Sequence, residues 1–351
     1  MGDGAAARRI LVVGPSWVGD MVMAQTLFKL LALRAHDVVI DVLAPAWAAP
    51  VLQRMPEVRR SIAMPIGHGK LQLRQRRQIG KQLRAQHYQQ AILLPNSLKS
   101  ALIPWFAGIA QRTGWRGEAR YVLLNDRRAL DPARYPLMVQ RFAALAFAER
   151  AALPQELPHP CLHIDADNQQ RLCRELGLAA ERPMLGLCPG AEFGPAKQWP
   201  AEHYASLASH YLQRGWQVLL LGSANDRAVA SAIHAGLPAE LRAHCYPAAG
   251  RTRLVDAIDL LALCRAVVSN DSGLMHVAAA VDAPLVAVYG STSPRFTPPL
   301  ASRVAIVQRE LPCRPCFERE CPLQHLDCLV GLPPERVIAA LQSVLANGLG
   351  G

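Results

Sequence analysis

Short apolar runs, each closing on a turn, recur along the chain and alternate with longer segments of helical period. Ile10 to Val13 is the first run and ends in Gly14-Pro15-Ser16-Trp17-Val18-Gly19-Asp20; the helix after it carries Met21, Leu27, Leu30 and Leu31 on its apolar positions. Val38 to Leu43 reads as the next strand, closed by Pro45, followed by a short helix around Trp47 to Arg54 and a strand near Ser61 to Met64. Ala91 to Leu94 is another buried strand and runs straight into Pro95-Asn96-Ser97-Leu98-Lys99-Ser100. Arg112 to Gly117 reads as a turn-rich basic segment, and Tyr135 to Arg150 as the helix that finishes this half. Strand, helix, strand in this rhythm predicts right-handed βαβ units and a parallel sheet.

Pro154, Pro158 and Pro160 interrupt the pattern and mark a linker. Beyond it come a helix near Asp167 to Leu178, a strand Met184 to Cys188, and the loop Pro189 to Lys197 with Gly190 and Gly194. A helix over Ala201 to Arg214 stops at Gly215, the strand Gln217 to Leu221 ends at Gly222-Ser223, and a helix starts near Asp226. A helix Leu254 to Cys264 precedes Ala266-Val267-Val268, the turn Ser269 to Gly273 and a further helix through Ala280. The strand Leu285 to Tyr289 then meets Gly290-Ser291-Thr292-Ser293-Pro294, and Pro334 to Ala346 is a terminal helix. The expectation is an α/β chain with two Rossmann-like, doubly wound parallel-sheet domains and a cleft between them. Residues 1–160 form the first domain, 161–332 the second, and 333–351 a C-terminal helix that could pack back on the first.

At 351 residues, 51% hydrophobic and 19% charged, the chain can bury two cores. A net charge of +11 calls for an acidic partner: nucleic acid, an anionic membrane surface or a phosphorylated substrate. No apolar run approaches the roughly 20 residues of a membrane span. Arg8-Arg9 before Ile10 to Val13 is too short for a signal peptide, and Ala6 stands where a Met1-Gly2 myristoylation motif wants Ser or Thr. The expected location is therefore cytoplasmic, with any membrane contact peripheral. Lys70 to Arg84 holds Lys70, Arg74, Arg76, Arg77, Lys81 and Arg84 with no acidic residue; it reads as a helix basic nearly all round, either a solvated face or a patch for anionic lipid or phosphate. Five of the nine cysteines (Cys161, Cys173, Cys188, Cys245, Cys264) lie in apolar surroundings, while Cys313, Cys316, Cys321 and Cys328 are spaced C-x2-C-x4-C-x6-C and could hold zinc or stay thiols.

In open α/β sheets ligands gather at the carboxyl ends of strands. The first loop fits neither the dinucleotide fingerprint, whose middle Gly is missing, nor the Walker loop, where Asp20 stands in place of Lys. An acidic residue there is suited to taking a proton, or simply to capping its helix. The second half has the opposite bias. Lys197, the Gly273 helix start, and the hydroxyls of Ser291 and Thr292 all lie on strand-end loops and together describe a diphosphate site that needs no metal. Taken alone, Lys197 reads more readily as a surface charge than as a ligand, and His276 as a partly buried structural histidine rather than a catalyst. A base in one domain and a diphosphate site in the other suit group transfer from a nucleotide-linked donor. No aromatic-and-basic module supports nucleic-acid binding.

Several motifs carry a family resemblance: Gly14 to Gln25 (G-P-S-W-V-G-D-M-V-M-A-Q), Leu94 to Ala101, Arg112 to Gly117, the P-G-A-E-F-G-P-A-K-Q-W-P run from Pro189, S-N-D-S-G-L-M-H from Ser269, and C-R-P-C-F-E-R-E-C-P from Cys313. Together they resemble the heptosyltransferase II branch of the ADP-heptose:lipopolysaccharide heptosyltransferases, glycosyltransferase family 9. Heptosyltransferase I is less similar around Trp17 and Asn96, and remains the alternative with other nucleotide-diphosphate-sugar transferases of this fold. Ala5 to Arg8 looks like a short extension. The resemblance implies a GT-B, inverting, metal-independent enzyme without cofactor. It would move L-glycero-D-manno-heptose from ADP-heptose to the first heptose of the anionic lipopolysaccharide inner core, at the cytoplasmic face of the inner membrane. It implies Asp20 as catalytic base, and Lys197 as the charge offsetting the diphosphate. Ser269, Asn270, Asp271, Ser272, Gly273, Leu274 and His276, with Ser291 and Thr292, would line the donor site. Adenosine would lie along Gly222, Ser223, Gly250, Arg251 and Thr252, and the acceptor along Ser16, Trp17, Asn96, Ser97, Lys99 and Arg116.

Overall fold

The computed structural model describes residues 7–35, 37–67 and 69–346, so the Met1-Gly2 motif and the first half of the extension expected at Ala5–Arg8 lie outside the described residues. The chain divides into two compact units, Met1–Pro160 and Cys161–Gly351.

Unit 1 runs β1 (Arg8–Val13), α1 (Val18–Arg34), β2 (Val38–Ala44), α2 (Ala49–Leu52), β3 (Val58–Ala63), α3 (Leu73–Leu83), β4 (Gln90–Leu93), α4 (Leu98–Phe106), β5 (Gln111–Trp115), β6 (Asp126–Arg128) and α5 (Met138–Ala143). Unit 2 runs α6 (Ala166–Leu176), β7 (Met184–Cys188), α7 (Ala201–Leu212), β8 (Gln217–Leu220), α8 (Arg227–Ala235), β9 (Cys245–Pro247), α9 (Leu254–Leu263), β10 (Ala266–Asn270), α10 (Gly273–Ala280), β11 (Leu285–Tyr289), β12 (Val304–Gln308), α11 (Asp327–Val330) and α12 (Pro334–Ala346). The sheets are parallel, ordered β3-β2-β1-β4-β5-β6 and β12-β11-β10-β7-β8-β9. Numbered from its own first strand, each unit has the order 3-2-1-4-5-6 of a doubly wound fold, and the strand order reverses between β1 and β4 and between β7 and β10. Helices cover both faces of such sheets, so the central strands are continuous apolar runs. Ile10, Leu11 and Val12 in β1, and Val267 and Val268 in β10, are fully buried.

Several elements differ from the sequence expectation. Arg112 to Gly117 is largely strand, because β5 pairs with β4 and buries Thr113, Gly114 and Trp115, while the Arg112 side chain folds back to donate to the Leu123 carbonyl at 2.7 Å. The expected long helix Tyr135 to Arg150 is only α5 and a following 3-10 turn. Helix α3 has an inward face as well as a basic one: Arg76, Gly80 and Leu83 are buried, and a Cβ on Gly80 would stand 2.5 Å from the Phe106 Cβ of α4. Cys161 is exposed and Cys173 half-buried, contrary to the apolar surroundings expected for both; Cys188, Cys245 and Cys264 are buried. Helix α12 packs on α7, β11 and β12 within unit 2.

One buried amide joins the loops that follow β7 to the end of β10. Asn270 Oδ1 accepts from the Trp199 N–H at 3.2 Å and the Tyr204 hydroxyl at 3.0 Å, and Nδ2 donates to the Pro189 carbonyl at 2.6 Å. Trp199 and Tyr204 are themselves buried and meet edge to face with centroids 4.9 Å apart. Asn270→Ala removes all three bonds and strands buried donors and an acceptor. It should lower unfolding free energy by about 2–4 kcal/mol in urea titration, without changing the m-value.

Candidate active site

In unit 1 the site forms where β1 and β4 part. Gly14 follows β1 with no side chain, and a Cβ there would lie 2.7 Å from Met21 Cε, so the loop can close tightly on α1. Trp17 is the N-cap residue, extended and without a side-chain cap bond. Asp20 therefore lies inside the first turn of α1, two residues past Val18, and not at the N-cap position. A cavity of about 270 Å³ brings Ser16, Trp17, Asp20 and Asn96 together with Trp115 and Arg141. Trp17 remains 43% exposed at its rim.

Ser97, Lys99 and Arg116 are not among the residues lining that cavity. The Ser97 carbonyl accepts from Ser100 Oγ at 2.5 Å, the Lys99 carbonyl from Arg76 Nη1 at 3.0 Å, and the exposed Arg116 is tied by its N–H to the Arg128 carbonyl at 2.7 Å. Two arginines that the sequence reading missed organise the site instead. Arg120 is 2% exposed and donates to the carbonyls of Pro95 (2.7 Å) and Trp115 (2.6 Å), and to Asn96 Oδ1 (3.1 Å); burial pushes its pKa down to about 10. Arg141 donates from Nε to the Tyr135 carbonyl at 2.9 Å and lines the cavity. A lone Arg between the apolar Val139 and Phe142 of α5 was the available sign for Arg141. Nothing local marked Arg120, whose partners come from two segments far apart in sequence, the turn at Pro95 and Asn96 and the end of β5.

In unit 2 the equivalent point lies between β7 and β10. Lys197 is not a surface charge. Its side chain is 14% exposed, Nζ stands 2.7 Å from Asp271 Oδ2, and the Phe193 ring lies 4.9 Å away. Thr292 Oγ1 donates to the same Asp271 oxygen at 2.5 Å. Asp271 thus orients a lysine and a threonine, leaving further Lys197 protons to meet an anion. Ser272 caps α10 in position only, with no side-chain bond to its first N–H groups, and Gly273 and Leu274 are half-buried there. Ser291 Oγ is buried and has no hydrogen-bond partner among the described residues. His276 is 6% exposed, and burial holds its imidazole down at about pKa 4. Ser269 and Asn270 are fully buried behind this surface: Ser269 Oγ donates to the Asn270 carbonyl at 2.8 Å, so both support the turn from within.

The residues expected to meet adenosine gather at the ends of β8 and β9. The Gly250 N–H donates to the Gly222 carbonyl at 3.0 Å with Gly250 at φ +65°, and Asp226 Oδ2 accepts from the Ser223 N–H (2.7 Å) and hydroxyl (2.9 Å). Thr252 Oγ1 donates to the Ala248 carbonyl at 3.3 Å, and Arg251 is exposed. Asp226 is a further residue the sequence left out; a Cβ on Gly190 or Gly222 would collide with it.

The cysteine-bearing segment braces the donor loops. Arg314 donates to the carbonyls of Gly290 (2.5 Å) and Thr292 (3.1 Å), the Phe317 N–H to Ser291 O (2.8 Å), and Arg319 O accepts from the Ala196 N–H (3.0 Å). Cys313, Cys316 and Cys321 are half-buried and Cys328 buried. Among the described residues no group of three or more His, Cys, Asp or Glu is arranged to hold a metal ion.

The sequence model of glycosyltransferase family 9 (heptosyltransferase) matches residues 76–327. The chain is 49% identical over 344 residues to lipopolysaccharide heptosyltransferase 2 of Salmonella typhimurium, covering 97% of this chain and 99% of that one. It superposes on the Escherichia coli ADP-heptose lipopolysaccharide heptosyltransferase II structure with a TM-score of 0.88 at 47% identity, covering 97% and 100% of the two chains. Lipopolysaccharide heptosyltransferase 1 of Pseudomonas aeruginosa is more distant, at 28% identity over 361 residues, covering 96% of this chain and 98% of that one. Two Rossmann-like units of the GT-B type, aligned with these relatives over nearly their whole length, and the family model over residues 76–327 show that the chain belongs to glycosyltransferase family 9, the heptosyltransferases.

Proposed function

We propose that this heptosyltransferase moves L-glycero-D-manno-heptose from ADP-heptose to the first heptose of the lipopolysaccharide inner core, by one inverting displacement with Asp20 as base. The observation that carries this reading is the opposite chemistry at equivalent points of two identical topologies. A carboxylate stands in the first turn of α1, lining a cavity. A lysine, an uncapped helix start and two hydroxyls stand between β7 and β10.

Unit 1 holds the acceptor with its hydroxyl against Asp20, and unit 2 holds the donor. The carboxylate takes the hydroxyl proton as the oxygen attacks the anomeric carbon, and the bond to the diphosphate oxygen breaks from the opposite side. ADP leaves with its developing charge met by Lys197, the first N–H groups of α10 and the hydroxyls of Ser291 and Thr292, so no resident metal or cofactor is needed for that role. The uncharged imidazole of His276, packed behind Asp271 and Lys197, adds no competing proton source at neutral pH. Working on an anionic lipid-borne acceptor, the chain meets the cytoplasmic face of the inner membrane peripherally; among the described residues no helix is long and apolar enough to cross a membrane.

Asp20→Asn should keep ADP-heptose affinity and lose about 10²–10⁴-fold in kcat with a purified monoheptosyl core acceptor; near-normal transfer would remove Asp20 from the base role. Lys197→Ala should weaken ADP binding in calorimetry by about 10-fold or more, and unchanged affinity would take it out of the donor site.

His276 gives a pH signature. Its folded pKa of about 4 lies below the unfolded value of 6.5, so the unfolded chain binds the extra proton first as pH falls. The stability this group contributes is complete above pH 6.5 and is lost toward pH 4, by about 3 kcal/mol at most. Urea midpoints measured across that window should show a steeper decline for the wild type than for His276→Gln.

A further inference from the structure

The net positive charge of this protein falls within one stretch. Residues 58–117 contain 11 of the 38 Lys and Arg and none of the 27 Asp and Glu, so they account for the whole net charge of +11, while the rest of the chain is balanced. Within that stretch some cations are committed internally. Arg59 and Arg60 meet Asp41 at 2.5 and 3.3 Å, Arg112 donates to backbone carbonyls, and Arg76 is buried.

Of the other seven, Lys99 and Arg116 lie on α4 and after β5, and five surface on α3 or at its ends. Its inward positions Arg76, Gly80 and Leu83 pack it down, and its outward positions Arg74, Arg77 and Lys81, three and four residues apart, form one exposed face, with Lys70 just before and Arg84 just after the helix. Ahead of that face two leucines stand in solvent, Leu71 at 52% and Leu73 at 49% exposure. They do not hang on a loose tail. The Arg76 guanidinium donates to the carbonyls of Lys70 (3.1 Å), Leu71 (2.6 Å) and Lys99 (3.0 Å), fixing the turn that carries Leu71 to the start of α4.

We infer that α3 and the Lys70–Leu73 turn form the surface by which this protein docks on an anionic lipid bilayer, the basic face against phosphate headgroups and the two leucines at the acyl boundary. Charge complementarity selects this occupant. A solvated helix needs neither an acid-free run of this length nor leucines held outward, and a duplex nucleic acid would gain nothing from the leucines. Each basic residue near such a surface contributes independently, and the attraction falls off within a Debye length. The inference locates the membrane contact of the proposed function, but its test needs neither donor nor acceptor.

The test is sedimentation with vesicles of phosphatidylglycerol and phosphatidylethanolamine at about 0.15 M salt, against phosphatidylcholine vesicles. Wild type should partition to the anionic vesicles alone. Arg74→Glu/Arg77→Glu/Lys81→Glu should lose on the order of a hundredfold in partitioning. The equally exposed Arg174→Glu/Arg214→Glu/Arg336→Glu set should lose several-fold at most, and Leu71→Ser/Leu73→Ser should sharpen the salt sensitivity. Turnover on a deacylated acceptor should be unchanged in the α3 triple variant, which also shows that it folds. Wild-type partitioning of that variant, equal loss in the control set, or retention on duplex DNA in preference to anionic vesicles at the same salt would overturn the inference. Loss of heptosyl transfer with vesicle binding intact would count against the proposed function alone.

Discussion

The strand-end site of unit 2 depends on one buried side-chain amide. Asn270 bonds to the Trp199 N–H, the Tyr204 hydroxyl and the Pro189 carbonyl, and so locks the two stretches after β7 to the last residue of β10. The next residue, Asp271, then has only one direction to face, and Lys197 and Thr292 converge on it. A lysine on a mobile loop would lose much side-chain entropy on meeting a diphosphate; one already held at 2.7 Å by a buried carboxylate loses little. The cost is a partly neutralised cation, which the α10 helix start and the orphan Ser291 hydroxyl offset by adding donors without adding charge.

The two units show how little a fold says about chemistry. Both carry the order 3-2-1-4-5-6, and both place their polar loops where the strand order reverses. In unit 1 that position presents Asp20 and Asn96, with Asn96 aimed by Arg120. In unit 2 it presents Lys197 and the start of α10. The third charged surface, on α3, belongs to neither strand-end site and presents Arg74, Arg77 and Lys81 from the acid-free stretch that accounts for the net charge.

Buried central strands such as Ile10 to Val13 and Leu285 to Tyr289 were legible because strands covered on both faces must be apolar throughout. The sheet edges were not. β6 is Asp-Arg-Arg, and its buried position is Arg128, satisfied by Asp126 at 2.9 Å and the Ala144 carbonyl at 2.8 Å, so it has no apolar pattern to read. α4 was hidden by Pro104 inside it, and β9 and β12 are short or half-exposed. In the sites, Asp20 and Lys197 stood out as charged residues on loops directly after strands. Ser269 and Asn270 read as ligand contacts although they lie behind the surface, because a motif shows residue type but not which way it points. Arg120 was invisible for the same reason: its importance comes from carbonyls brought together only by folding. The cysteine segment left open in the sequence is a strut under the Ser291–Thr292 loop.

The most direct measurement is the structure of the product. Wild-type protein incubated with ADP-heptose and a monoheptosyl inner-core acceptor should release ADP and add one heptose, with the new linkage opposite in anomeric configuration to the donor by NMR. Retained configuration, or transfer that prefers a UDP- or GDP-linked sugar, would contradict a single displacement from ADP-heptose driven by Asp20.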